Sequence, residues 1–240
     1  MHMQEQLPLR PGGLNLTKQA ASFAGLTSAS RVLDIGCGRG ASLTYLHREY
    51  GCPVTGIDCS VTALEAAGKL FSCDQETFPD RMNHFDPAAS VNLLLTDASA
   101  LPLPDAFFDF VMMECTLTLF DEPMKALSEA ARVLSPGGWL YVSALCQKNP
   151  SASDQIVTNG LLHTDLFCGS LHALGFEKSS FCISDQTPAL IQFVADMIFQ
   201  HGSLDAYFKK ASLQTDGCIF NCAIAPKETG YVAIWAKRTS

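Results

Sequence analysis

The sequence lacks the features that accompany nucleic-acid binding, membrane insertion and secretion. Its 16 basic residues against 24 acidic ones give a net charge of −8, and no basic run could neutralise a row of phosphates. No apolar stretch approaches the roughly 18 residues of a membrane span. Met1 to Gly13 is polar and contains prolines and glycines, whereas a secretory signal is apolar there. We therefore expect a cytoplasmic protein that binds neither nucleic acid nor membrane.

Internal repeats and low-complexity tracts are also absent. With 240 residues, 48% of them hydrophobic, the chain can bury one sizeable core without crosslinks. Ten cysteines are scattered along it, which favours free thiols over a disulfide framework. Cys218 and Cys222 form a C-x-x-x-C pair, a weak candidate for a metal or redox site, and two unpaired thiols are the preferred interpretation.

Strand-like and helix-like segments alternate over the first 145 residues, which predicts stacked βαβ units and a parallel sheet. Further strands and helices follow. The predicted strands are Arg31–Ile35, Pro53–Ile57, Val91–Thr96, Phe108–Met113, Trp139–Ala144, Glu177–Ser184 and Tyr231–Lys237. The predicted helices are Ala41–Glu49, Val61–Phe71, Glu122–Leu134, Leu161–Leu174, Pro188–Gln200 and Leu204–Ala211.

A glycine-rich turn after the first strand is the strongest local signal. In Val32 to Gly40 an apolar strand runs into three glycines at alternate positions, where the backbone turns tightly and leaves N–H groups free for a ligand. Gly36, Gly38 and Ala41 also satisfy a dinucleotide pattern. However, the Asp34 carboxylate would repel a pyrophosphate there and suits an ammonium group better.

Four motifs in order resemble those of class I S-adenosylmethionine-dependent methyltransferases, over about residues 31–145. Asp34 to Gly40 is similar to the D-x-G-x-G-x-G loop, which approaches the methionine part of the cofactor. Asp58 resembles the acidic residue that binds both ribose hydroxyls. Thr96 to Ala98 resembles the segment that reads adenine, and Leu134 to Leu140 the structural L-x-P-G-G-x-L turn. The segment Leu9 to Thr17 is similar to the lead-in of a cysteine-rich bacterial subgroup.

This resemblance implies an α/β, Rossmann-like doubly wound fold. Its seven-stranded sheet would be mostly parallel, with an antiparallel C-terminal strand and a small helical insertion at 187–211. One domain would span 1–240, in which 1–30 covers the cofactor, 31–145 forms the cofactor-binding core and 146–240 completes the fold. The implied S-adenosylmethionine-binding residues are Asp34, Gly36, Cys37, Gly38, Gly40, Asp58, Cys59, Asp97, Ala98 and Glu114, and Arg10 or Thr17 could join them.

The same residues also have purely structural interpretations. Asp34 and Asp58 could cap the helices that follow them, Asp97 could belong to an ordinary turn, and Glu114 could be solvated. Cys115 could be a buried thiol, as free cysteines usually are. We prefer structural roles for His163, His172 and His201.

The expected function is methyl transfer to a small-molecule acceptor by a monomer or homodimer. Glu114 and Cys115 are weak catalytic candidates. A thiol or metalloid acceptor, and a protein that binds the cofactor without catalysis, remain alternatives. The acceptor cleft is predicted to be apolar, lined by Leu117, Leu119, Phe120, Phe193, Met197 and Phe199.

Overall fold

The computed structural model describes residues 10–71, 82–150, 153–215 and 227–239, with side chains omitted at 210–215. The strands in these ranges are β1 Val32–Ile35, β2 Val54–Asp58, β3 Val91–Leu95, β4 Phe108–Glu114, β5 Leu134–Gln147, β6 Val157–Thr158, β7 Leu161–Leu162, β8 Cys182–Asp185 and β9 Thr229–Lys237. The helices are α1 Gly13–Ala24, α2 Ala41–Tyr50, α3 Val61–Leu70, α4 Pro123–Val133, α5 Thr164–Ala173, α6 Thr187–His201 and α7 Leu204–Thr215.

All these strands belong to one sheet. Five parallel strands run in the order β3-β2-β1-β4-β5, β9 lies antiparallel beside β5, and β8 pairs antiparallel with β9. The predicted mostly parallel, doubly wound sheet with an antiparallel last strand is therefore confirmed. A short hairpin of β6 and β7 adds two strands to the seven expected. It joins the sheet where Leu162 of β7 pairs with Cys146 of β5.

Helices cover both faces of the sheet. Successive residues of a strand point to opposite faces, so Val32 packs with α1, α2 and α3 while Leu33 packs with α4 and α5. On β4, Val111 packs on the same face as Leu33, and Met112 packs on the same face as Val32. Burial on both faces explains why most residues of these strands are apolar.

Three predicted boundaries were wrong. The helix predicted from Leu161 begins at Thr164, because the preceding residues form the β6–β7 hairpin. Its turn is Asn159–Gly160 with φ values of 52° and 73°, the backbone that an Asn-Gly hairpin turn favours. Pro136 to Gly138 lies within β5 instead of forming a separate turn. The strand predicted from Glu177 begins at Cys182, after a short 3-10 helix.

The insertion between β8 and β9 contains α6 and α7, close to their predicted bounds. Phe193 and Met197 of α6 pack with Tyr207 of α7 in a small apolar cluster of their own. No helix in the described ranges is both long enough and apolar enough to cross a membrane.

Candidate active site

The glycine turn joins β1 to α2 at the carboxyl edge of the sheet. Gly36, Gly38 and Gly40 all have positive φ, at 79°, 53° and 76°. A Cβ at Gly36 would lie 2.6 Å from Thr116 Cγ2, and one at Gly40 would lie 2.8 Å from Ala67 Cβ. A Cβ at Gly38 would meet no atom within 4 Å. The outer two glycines thus serve chain packing, and the middle one borders open space that a ligand can approach.

Asp58 holds the glycine turn against the end of β2. Its Oδ2 accepts a hydrogen bond from Gly38 N at 2.8 Å, and its Oδ1 accepts one from Ser60 N at 2.9 Å. Each carboxylate oxygen keeps a further lone pair, so the group can still accept two hydrogen bonds from a diol. The neighbouring Cys59 is exposed.

The helix-capping alternative for the two aspartates is wrong. The N-cap of α2 is Gly40, so Asp34 does not cap it. The N-cap of α3 is Ser60, whose hydroxyl accepts a hydrogen bond from Ala63 N at 3.1 Å. Both carboxylates are therefore available for another role.

Arg10, Thr17, Ser42 and Glu114 form what we call the ionic cluster. Arg10 Nη2 lies 2.7 Å from Glu114 Oε2 and donates to Ser42 Oγ at 2.7 Å. The Glu114 carboxylate also accepts from Ser42 Oγ at 2.5 Å and from Thr17 Oγ1 at 2.8 Å. Glu114 is buried, so the interpretation of Glu114 as a solvated residue is wrong. The cluster ties the N-terminal segment and α1 to α2 and the end of β4.

Asp34 lies buried beside this cluster, and its Oδ1 has no hydrogen-bond partner among the described residues. Burial raises the pKa of Asp34 well above its usual range, the Glu114 and Asp58 carboxylates raise it further, and Arg10 opposes them. For Arg10, burial is the largest effect and lowers the pKa, but Glu114 together with Tyr231, Asp34 and Cys115 outweighs it, so the net shift is upward.

Arg10 Nε is also buried without a partner in the described part of the chain. An unpaired buried donor and an unpaired buried acceptor are costly unless a ligand satisfies them. Asp34 Oδ1 and Arg10 Nε together complement the ammonium and carboxylate of an α-amino acid. The residues present therefore fit the methionine part of S-adenosylmethionine.

Asp97 and Ala98 follow β3. Asp97 is exposed, and its Oδ1 accepts a hydrogen bond from Ser99 N at 2.7 Å. Hydrogen bonding to the Ser99 side chain, and then to its backbone, lowers the pKa of Asp97. Ala98 is buried. The carboxylate thus stabilises its own turn, and contact with adenine stays a prediction.

Cys115 is a buried thiol that ends β4 in a left-handed backbone conformation, with φ of 59°. Its Sγ lies 3.1 Å from Tyr231 Oη, and Tyr231 donates to Ser143 Oγ at 3.0 Å.

Cys37 is buried near β2, since a Cβ at Gly56 would lie 2.7 Å from its Sγ. Burial raises the pKa of the Cys37 thiol well above its usual range. Cys37 can therefore meet a cofactor through its backbone.

The metal-site hypothesis falls outside the described residues, because Cys218 and Cys222 both lie there. Within the described ranges, no group of three or more His, Cys, Asp and Glu side chains could hold a metal ion.

The three histidines contact residues of their own or neighbouring elements, and His201 Nε2 is buried without a hydrogen-bond partner in the described ranges. His163 caps α5 by accepting a hydrogen bond from Leu166 N at 3.4 Å. His172 Nδ1 lies 3.4 Å from Phe176 O, and the His201 ring packs on Tyr207.

The prediction of which residues line the apolar acceptor cleft is wrong. Leu117 is in the main core and Phe120 packs against it, whereas Phe193 and Met197 pack with Tyr207. The remaining two residues are exposed, Leu119 at 44% and Phe199 at 92%. The helical period of α6 places Phe199 on the face opposite the buried residues, which apolar character alone does not show.

Comparison with known proteins agrees with this geometry. Residues 33–142, from β1 into β5, match the family model described as a methyltransferase domain. The match covers a little under half of the chain and is to methyltransferase domains. The cofactor that this domain type implies is S-adenosylmethionine.

Relatives of the methyltransferase domain include several small-molecule enzymes. O-methyltransferase resE of Aspergillus sclerotiorum is 29% identical over 131 residues, which are 55% of this chain and 46% of that protein. The 27-O-demethylrifamycin SV methyltransferase of Amycolatopsis mediterranei is 33% identical over 136 residues, 57% of this chain and 46% of that protein. The chain thus spans about half the length of the curated relatives that it matches.

Solved structures with this methyltransferase fold cover nearly the whole chain. The [4+2]-cyclase SpnF superposes with a TM-score of 0.66 at 26% identity, over 94% of this chain and 81% of that one. Phosphoethanolamine N-methyltransferase 2 of Haemonchus contortus, in complex with S-adenosyl-L-methionine, superposes with a TM-score of 0.69 at 20% identity. The superposition covers 96% of this chain and 54% of that one.

Sequence reasoning missed two residues of the candidate site, Ser42 and Tyr231. Ser42 was predictable in principle, because it stands in the first turn of α2 directly after the glycines. Tyr231 had no local signal. It reaches Cys115 only because β9 returns antiparallel beside β5.

Proposed function

We propose that the chain transfers a methyl group from S-adenosylmethionine to a small-molecule acceptor. The observation that carries this proposal is the unpaired, buried Asp34 Oδ1 beside Arg10 and Glu114, at the start of the glycine turn. A carboxylate in that position receives an ammonium group and repels a diphosphate. It therefore favours this cofactor over a dinucleotide.

In this proposal the carboxyl ends of β1 to β4 bind the cofactor in sections. Asp34 and Arg10 hold its amino-acid end, Asp58 the ribose diol, and Asp97 with Ala98 the adenine. Gly38 leaves the space in which the backbone of the turn lies against it. The cofactor supplies an electrophilic methyl carbon on a sulfonium.

The protein contributes chiefly alignment and exclusion of water, because the leaving group is already in place. The N-terminal segment would close the amino-acid end, since Arg10 and Thr17 reach Glu114 from outside the sheet. An alcohol or phenol acceptor requires a base, whereas a thiol or metalloid acceptor requires little beyond placement.

The likeness to a [4+2]-cyclase supports a second candidate, in which the chain binds the cofactor without transferring its methyl group. A fold does not determine a reaction. Release of S-adenosylhomocysteine distinguishes the two candidates, since only methyl transfer produces it.

Calorimetry with S-adenosylmethionine, S-adenosylhomocysteine and NAD tests the cofactor assignment. We expect the first two to bind and NAD not to bind. Asp34→Asn is expected to weaken S-adenosylmethionine binding at least about tenfold, because it removes a charge-assisted hydrogen bond. The control is Asp205→Asn, which changes an exposed aspartate on α7. NAD binding, or equal affinities in the parent and Asp34→Asn, would refute the assignment.

We further propose that residues 1–30 and 146–240 form one domain with the core. The protein is proposed to be cytoplasmic and either a monomer or a homodimer. Light scattering after gel filtration measures the oligomeric state, and limited proteolysis yielding a stable core of about residues 31–145 would contradict the single domain.

A further inference from the structure

Cys115, Tyr231 and Ser143 form a second set of buried polar groups, which we call the polar chain. Its two contacts measure 3.1 Å from Cys115 Sγ to Tyr231 Oη and 3.0 Å from Tyr231 Oη to Ser143 Oγ. Cys115 directly follows Glu114 of the ionic cluster, and Glu114 is paired with Ser143 across β4 and β5. The polar chain therefore adjoins the proposed cofactor site on the carboxyl edge of the sheet.

The surroundings of the polar chain are apolar. Leu16 of α1, Leu145 of β5 and Leu190 of α6 pack with Cys115 and Tyr231 in one buried cluster. Hydrogen-bonding groups in such surroundings contribute little to stability compared with apolar residues of the same shape. In addition, Cys115 adopts a left-handed backbone that is unfavourable for a residue other than glycine. Backbone conformations of this kind are concentrated at ligand sites.

Tyr231 in the polar chain and Tyr141 beside it are neutral phenols. Burial raises the pKa of Tyr231 well above its usual range, and the neighbouring Cys115 and Tyr141 raise it further. Tyr141 is also buried, and its pKa is raised first by burial. Its hydroxyl lies near Ser143 but makes no hydrogen bond of normal geometry to a described residue. The Tyr141 hydroxyl thus adds an uncharged group with unused hydrogen-bonding capacity beside the polar chain.

The inserted helices cover the polar chain. Leu190 and Val194 of α6 and Phe208 of α7 contact the apolar cluster around it. Phe193 and Met197 of α6 pack with Tyr207 of α7, so the pair has its own small core. The helices therefore form a roof that rests on the polar chain without being part of the main core.

We propose that the polar chain is the acceptor subsite, and that it binds the neutral hydroxyl of an otherwise apolar molecule such as a phenol or enol. This inference rests on the proposed function, since it places the acceptor beside the bound cofactor. A phosphate would need arginine or lysine partners, and an ammonium would need a carboxylate, whereas thiol, phenol and hydroxyl groups match a hydroxyl. Tyr231 and Cys115 are then the residues that select the acceptor's functional group.

Three probes that share a naphthalene ring and differ in their functional group test this selectivity. Calorimetry measures the binding of 1-naphthol, 1-naphthyl phosphate and 1-naphthylmethylammonium to protein saturated with S-adenosylhomocysteine. We expect 1-naphthol to bind at least about tenfold more tightly than the charged probes. Tyr231→Phe and Cys115→Ala should each weaken 1-naphthol binding about threefold to tenfold, by loss of one neutral hydrogen bond.

The matched control is Tyr45→Phe, because Tyr45 lies on α2 and belongs to neither cluster of polar groups. It should leave 1-naphthol binding unchanged, and all three variants should keep the parent affinity for S-adenosylhomocysteine. Thermal melting verifies folding, and Cys115→Ala decides the case if Tyr231→Phe does not fold. Absence of S-adenosylhomocysteine binding would refute the proposed function itself. Normal S-adenosylhomocysteine binding with no preference for 1-naphthol, or with unchanged affinity in the folded variants, overturns the acceptor subsite alone.

Discussion

The ion pair between Arg10 and Glu114 should be a large, coupled contribution to stability. Its nitrogen and oxygen lie 2.7 Å apart, and the two side chains are 15% and 4% exposed. Removing one member of a buried pair costs about 3–5 kcal/mol, because the other charge stays buried without compensation. Arg10→Met and Glu114→Gln therefore remove one charge each, and the double variant removes both.

The individual costs follow from the contacts that remain. In Arg10→Met, Glu114 still accepts hydrogen bonds from Ser42 and Thr17, so we expect a loss near the lower limit, about 3 kcal/mol. Glu114→Gln also relieves repulsion of Asp34, which reduces its cost to about 2 kcal/mol. The double variant leaves neither member of the pair as an unpaired charge and should also lose about 2 kcal/mol, which gives a coupling free energy of about 3 kcal/mol.

Urea unfolding of the four proteins, followed by tryptophan fluorescence at neutral pH, measures this coupling. The control cycle uses Lys125→Met and Glu122→Gln, a pair at 2.6 Å whose side chains are 64% and 52% exposed. It should show a coupling of at most about 0.5 kcal/mol. If the buried pair couples no more strongly than this exposed pair, the assignment of a desolvated ionic cluster is refuted.

Three further outcomes are expected. Gly40→Ala should lower the free energy of unfolding by at least about 1–2 kcal/mol in denaturant titrations, because its Cβ would lie 2.8 Å from that of Ala67 at a φ of 76°. Binding of S-adenosylmethionine should release a proton from Asp34, whose pKa is raised before an ammonium arrives, so affinity rises with pH up to that pKa. Equal binding enthalpies in phosphate and Tris buffers would contradict this release. Asp97→Ala should weaken cofactor binding about tenfold in calorimetry with little change in melting temperature, because its carboxylate is exposed.

The parallel core of the fold was predictable from sequence because its signals are local. Strands such as β1 and β4 are buried on both faces and consist mostly of apolar residues, and the glycine turn follows β1 directly. The β6–β7 hairpin was missed, although Asn159–Gly160 is a strong hairpin signal, because the apolar residues around it also suit a helix.

The site was only partly predictable. Asp34 and Asp58 stand at strand ends, where topology alone brings them to the same edge of the sheet. The ionic cluster and the polar chain depend instead on contacts between distant residues, such as Thr17 with Glu114 and Cys115 with Tyr231. Such pairs leave no periodic or spacing signal, so a single sequence does not reveal them.

The base of the helical insertion is closed by backbone pairing, because Asp185 and Val232 are register partners and Gln186 N donates to Tyr231 O at 2.7 Å. The residues between these partners can change in length or sequence at small entropic cost, since the two ends are already held together. Under the proposed acceptor subsite, changes there would alter the roof over the polar chain while leaving β1, β2 and their glycine turn intact.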